Sequence, residues 1–97
     1  MRKKYQAFLL NPDGRREDVN PKNGKDFKLD ELQGLLGGNI KILHMRHGEL
    51  MVINEDGKLL DLPLNKDSTV IAKWKGVISS KDCIVGTVLV CHKSQIK

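Results

Sequence analysis

Residues 40–65, IKILHMRHGELMVINEDGKLLDLPLN, decide how the rest of this 97-residue sequence is read. Ile40 to Met45 alternates Ile40, Ile42 and His44 against Lys41, Leu43 and Met45, because successive side chains of a strand point to opposite faces. Arg46-His47-Gly48-Glu49 reads as a turn in which Gly48 tolerates a positive φ. Leu50 to Asn54 is a continuous apolar run, the pattern of a strand covered on both faces. Asn54-Glu55-Asp56-Gly57 gives a second turn, and Asp56-Gly57 is a strong short hairpin signal. Lys58 to Leu62 is then expected to pair back as a third strand. Pro63, lacking an N–H, ends that ladder or marks a sheet edge.

Two segments flank this meander. Lys4 to Leu10 has strand length, and Asn11-Pro12-Asp13-Gly14 is a turn in which proline presets φ and glycine closes. Arg15 to Val19 pairs back as an almost wholly polar edge strand whose charges discourage pairing with another chain. Asp26 to Leu36 reads as a short helix with Leu29, Leu32, Leu35 and Leu36 on one face. Asp30 and Glu31 occupy its first turn, where the helix dipole favours negative charge, and Gly37-Gly38 stops it. Gly34 inside it costs about 1 kcal/mol relative to alanine.

On the other side, Asn65 to Gly76 is open between loop and helix. A helix would be capped by Asp67 or Ser68 and would turn Val70, Ile71 and Trp74 inward. Cys83 to Cys91 is the most apolar segment, rich in β-branched residues, and is expected to be the central strand. Gly86 within it marks a bulge or a close approach to the backbone. The tail from His92 to Lys97 reads as polar and frayed. The resulting expectation is one α+β domain over residues 1–97: a mainly antiparallel sheet of about five to six strands, with one or two short helices packed on one face.

Composition limits the chemistry. No run approaches the roughly 20 apolar residues that span a bilayer. Tyr5 to Leu10 is too short for the apolar core of a signal peptide, so a cytoplasmic protein without membrane contact is expected. If Asp82 to Cys91 is one strand, Cys83 and Cys91 lie about 26 Å apart, beyond the roughly 7 Å that a disulfide requires. Both then read as small buried apolar residues.

A zinc site among His44, His47, Cys91 and His92 has no supporting spacing, and adjacent Cys-His residues of a strand point apart. No metal or cofactor is expected. Asp82 beside Cys83 would raise the thiol pKa, the wrong direction for a nucleophile. Gly34, Gly37 and Gly38 lie at a helix end whose dipole repels phosphate. No enzyme is expected.

The net charge of +5 favours phosphate non-specifically. Arg2, Lys3 and Lys4, with Arg15 and Arg16, are the candidate nucleic-acid contacts. In a hairpin these two groups fall at opposite ends, and aromatics are too few for a base-stacking platform. Asn54, Lys58, Pro63 and Asn65 are the candidate ligand-binding group, a polar pocket for a small anionic ligand or peptide. The competing reading makes Asn54 and Asn65 turn and cap residues.

Leu32-Gln33-Gly34-Leu35-Leu36-Gly37-Gly38-Asn39-Ile40, the turn Asn54 to Gly57, Leu62-Pro63-Leu64-Asn65 and Asp82-Cys83-Ile84-Val85-Gly86 occur in that order. Over about residues 27–90 the chain resembles a family of small proteins of unknown function encoded by bacteriophages and by conjugative or integrated elements of gut bacteria. The resemblance implies a mobile-element origin and a single small domain, and it implies no reaction. Two functions are carried forward. One is a non-enzymatic accessory protein that sequesters a host protein or a small anionic ligand, as a monomer or as a homodimer through a sheet edge. The alternative is a basic nucleic-acid-associated module.

Overall fold

Five strands form one antiparallel sheet in the computed structural model, which describes residues 5–96. They are β1 (Ala7–Leu10), β2 (Arg16–Val19), β3 (Ile40–His44), β4 (Glu49–Asn54) and β5 (Val88–His92). Their order across the sheet is β2-β1-β5-β4-β3, so the C-terminal strand lies at the centre, as the apolar run before Cys91 predicts. Two helices complete the α+β fold: α1 (Leu29–Leu36) and α2 (Lys66–Trp74). No helix among the described residues is long and apolar enough to cross a membrane.

The sheet has an apolar layer on each face, and each helix covers a different one. Leu9, Leu50, Val52, Leu89 and Cys91 cluster with Leu32 and Leu36 of α1 and with Phe27. Leu10, Met51, Val88 and Val90 cluster on the opposite face with Ala72 of α2 and with Ile84. This corrects the single-face expectation. Leu50 to Ile53 of β4 and Val88 to Cys91 of β5 are apolar on both faces, so the sheet is buried from two sides and needs two covers.

The expected third strand of the meander does not form. Lys58 to Leu62 lies in a run of turns, with Leu60 N–H donating to Asp56 O at 2.9 Å and Leu62 N–H to Gly57 O at 3.0 Å. Gly57 does not take the positive φ that a two-residue hairpin requires, and Asp61 takes one instead, at φ 57°. Glycine at 57 serves closeness, since a Cβ there would lie 2.8 Å from Val85 Cγ2. Gly86 serves the same end: at φ +79°, its added Cβ would lie 2.8 Å from Leu62 Cδ1. The loop before α2 is thereby pressed onto the segment entering β5.

That segment differs from the expected long strand. Only Val88 to His92 is strand; Cys83 lies half-buried in the preceding loop and Cys91 is buried in the core, both as free thiols. The tail beyond His92 is ordered rather than frayed. Lys93–Gln95 forms a short 3-10 turn, Phe27 N–H donates to Gln95 O at 2.7 Å, and Ile96 packs on the α1-side cluster. In α1, Leu29 is exposed and Gly34 has nothing close to it, so the glycine serves no close approach there.

Candidate functional site

Asn54 and Asn65, the two asparagines of the expected pocket, are both buried, and each ties a helix to the sheet. Asn65 is the N-cap of α2: its Oδ1 accepts from Ser68 N–H at 3.0 Å. Its Nδ2 donates to Leu10 O and Gly86 O, both at 2.9 Å. One fully buried amide thus caps α2, holds the end of β1 and fixes the approach to β5. Asn54 Nδ2 donates to Leu36 O at the end of α1 at 3.0 Å, and its Oδ1 accepts from Asp56 N–H at 2.8 Å.

Lys58 and Pro63 take other positions. Lys58 Nζ is ion-paired with Asp82, which holds the lysine above its usual pKa. The same contact, helped by Cys83 N–H, holds the Asp82 carboxyl below the usual range. Pro63 is exposed at its ring while its carbonyl accepts from Gly86 N–H at 2.8 Å. Asn54, Lys58 and Asp82 line one small cleft of about 120 Å³; Pro63 and Asn65 do not line it. The structure therefore does not gather the four residues into one pocket.

Of the basic candidates, Arg2, Lys3 and Lys4 lie outside the described residues. Arg15 Nε pairs with Asp13 at 2.8 Å, and Arg16 Nε lies 3.7 Å from Asp18. The Arg16 guanidinium also stacks 3.7 Å above the Phe8 ring. No group of three or more potential metal ligands occurs among the described residues.

The surface outside these candidates is more informative. α2 begins at Lys66, one residue after its cap, and this sets its rotation. Ser68 and Ala72, both small, face the sheet, while Val70 and Trp74 face outward with 66% and 82% of their surfaces exposed. This reverses the expected inward placement of Val70 and Trp74. Residues 66, 70 and 74 are spaced by one helical turn, and Lys66 and Lys73 flank the apolar pair on the same exposed side. Lys75 Nζ sits 5.3 Å from the Trp74 ring centroid and 3.6 Å from Glu49 Oε1.

Glu49 opens onto a groove of about 430 Å³ on the sheet face that α2 leaves uncovered, with Gln6, Phe8, His47 and Val90 in its walls. At one end Tyr5 and His92 stack, with centroids 3.8 Å apart and planes 4° from parallel. The other face of the His92 ring is closed by Gly48, where an added Cβ would lie 2.6 Å from Nε2. Ser94 N–H donates to His92 Nδ1 at 3.1 Å, so the neutral ring carries its hydrogen on Nε2. Trp74, Lys75, Glu49 and the groove thus form one continuous surface. The sequence held a signal for it in the lone tryptophan among lysines, but only the helix rotation makes that signal readable.

Residues 5–96 match the model of DUF3846, a domain of unknown function. No curated protein and no solved structure matches the chain.

Proposed function

This chain belongs to the DUF3846 family, a domain of unknown function, and we propose that it is a non-enzymatic binding protein of a phage or mobile element that sequesters a host protein in the cytoplasm. The observation that carries this reading is the exposed Val70–Trp74 pair on α2. A large apolar residue at 82% exposure that contributes nothing to the core is expensive to present to water, and tryptophan is enriched where interfaces concentrate their energy. Lys66 and Lys73 beside it favour a partner segment that is acidic and amphipathic. The groove past Glu49 offers room for an apolar or aromatic anchor of the same segment.

Trp74 is the chain's only tryptophan, so its fluorescence reports directly on this surface. The immobilised protein should retain a host-lysate protein that is released by salt, and that is lost on Trp74→Ala or on the Lys66→Glu, Lys73→Glu pair. Adding the recovered partner back should shift Trp74 emission to the blue. Trp74→Ala should alter folding stability by less than about 0.5 kcal/mol, because the ring is outside the core. Retention of the same proteins by wild type and variants would sink the reading. A mobility shift of DNA or RNA that weakens steeply with salt and survives Trp74→Ala would replace it with the nucleic-acid module.

A further inference from the structure

We infer that β3 is a strand-addition edge whose partner is β3 of a second copy, giving a continuous ten-stranded sheet across a two-fold axis. The inference is independent of the α2 surface, which lies on another part of the molecule and needs no second copy.

The register of β3 against β4 fixes which backbone groups point outward. Met45 N–H donates to Glu49 O and Glu55 N–H to Asn39 O, both at 2.8 Å, just beyond the two ends of the ladder. In an antiparallel pair, bonded and non-bonded residues alternate. Lys41 and Leu43 therefore bond toward β4, and the N–H and C=O groups of Ile40, Ile42 and His44 point away from the sheet. No turn, loop or cap hydrogen bond among the described residues takes them up.

Those three residues match their own copy. When Ile42 of one chain faces Ile42 of the other, Ile40 faces His44, and every outward residue falls at a bonded position. Six backbone hydrogen bonds then form about the axis. The strand's one lysine, Lys41, falls opposite Leu43, so no like charges meet. Lys41 is also near enough to Asp82 to lower that carboxyl's pKa, so its own charge is partly offset within the chain. Ile40 and Ile42 are only half-buried and lie on the α1-side face. The axis is perpendicular to the sheet, so that face continues unbroken and the Ile42 pair meets across it.

A five-residue strand pair is small against standard interfaces, so association in the micromolar range is expected. The test uses the whole chain in sedimentation equilibrium from about 1 to about 500 µM, with amide hydrogen exchange at both ends of that range. The expected result is a monomer–dimer equilibrium in which the Ile42 and His44 amides exchange on the order of tenfold more slowly at the high concentration, while the β2 amides do not change. Ile42→Lys, which sets two lysines face to face, should weaken dimerisation by roughly tenfold or more. A chain that stays monomeric throughout, or a dimer that leaves these amides unprotected, overturns the inference. Should Ile42→Lys fail to fold, the wild-type exchange pattern alone decides.

Discussion

The two edges of this sheet have the same length class and opposite character. β2, Arg-Glu-Asp-Val, is charged at three of its four positions and exposed along them; β3, Ile-Lys-Ile-Leu-His, carries one lysine. Asn11 N–H donates to Arg15 O at 2.9 Å, so on β2 the outward backbone groups belong to Arg16 and Asp18. Setting Arg16 opposite Asp18 of a second copy would bring Glu17 directly against Glu17. Registers centred on Arg16 or on Asp18 would oppose two arginines or two aspartates. Each antiparallel self-pairing of β2 therefore meets a like-charge contact, whereas β3 has one with none. An edge can be closed to association by the order of its charges alone, without any covering element.

Each edge is also backed by one buried asparagine, and removing these side chains asks which side of the sheet is held more firmly. Asn65→Ala deletes a helix cap and two bonds to carbonyls in a fully buried site, and should destabilise by about 3 kcal/mol. At this chain length that corresponds to a fall of about 12–24 °C in thermal midpoint, measurable by calorimetry. Asn54→Ala deletes one bond to Leu36 O and one to Asp56 N–H near the surface, and should cost about 1–2 kcal/mol. Asn65→Asp separates the roles: it keeps the acceptor for Ser68 N–H but turns a second acceptor on Leu10 O and Gly86 O. It should therefore fall at least as far as the alanine variant. Equal losses for Asn65→Ala and Asn54→Ala would mean that the β1 side owes nothing to its extra bonds.

Much of the sheet was legible because its signals are local. Asn11 to Gly14 sets the β1–β2 turn, Gly37 takes the left-handed cap at φ 82°, and the apolar run before Cys91 makes the central strand. The failures share a cause. Lys58 to Leu62 has strand-like composition, yet Leu59 and Leu60 are exposed, because Gly57 is used for contact with Val85 and not for a hairpin. Likewise α2 looks apolar at Val70 and Trp74, but its rotation is set by Asn65, whose amide bonds Leu10, 55 positions earlier. Small residues such as Ser68 and Ala72 carry little hydrophobic signal although they make the close contact with the sheet. The exposed site therefore stayed invisible until a long-range bond had fixed the helix face.

Cys91 gives a smaller effect, and one confined to the α1 side of the central strand. Burial pushes its thiol from 9.0 up to about 12. Its folded pKa is raised, so the neutral thiol contributes its full stability below about pH 9, where both states are protonated. That stability is lost progressively as pH rises from about 9 toward about 12, because the unfolded chain ionises first. Cys91→Ala should lose this part of the alkaline slope in denaturant unfolding followed between pH 8 and 11. In the native protein at pH 8, a thiol reagent should titrate Cys83 quickly and reach Cys91 only on unfolding. Rapid labelling of both thiols would mean that the layer beneath α1 opens easily.

The smallest expected effect bears on the open edge itself. Asp82 lies near Lys41, the only charge on β3, but its main partner is Lys58, and both side chains of that pair are exposed. Lys58→Ala should leave the thermal midpoint unchanged, since an exposed ion pair is screened by water and orders two mobile side chains. What should change is the Asp82 titration, followed by NMR: with its largest stabilising partner removed, the carboxyl pKa should rise toward its ordinary value. Asp82 has a lowered folded pKa, so whatever stability it confers is present above the unfolded value of 3.8 and disappears as pH falls. The substitution should therefore flatten the acid limb of the stability curve by a slight lowering of its neutral-pH plateau, within the scatter of the thermal midpoint, and leave acid pH alone, where Asp82 is protonated. In the variant Asp82 has only Lys41 left of the two lysines that lower its pKa, so β3 keeps its single charge compensated and its self-pairing should persist. Weakened dimerisation in Lys58→Ala would show that the edge depends on this outer ion pair, and that charge order within the strand is not enough to leave it open.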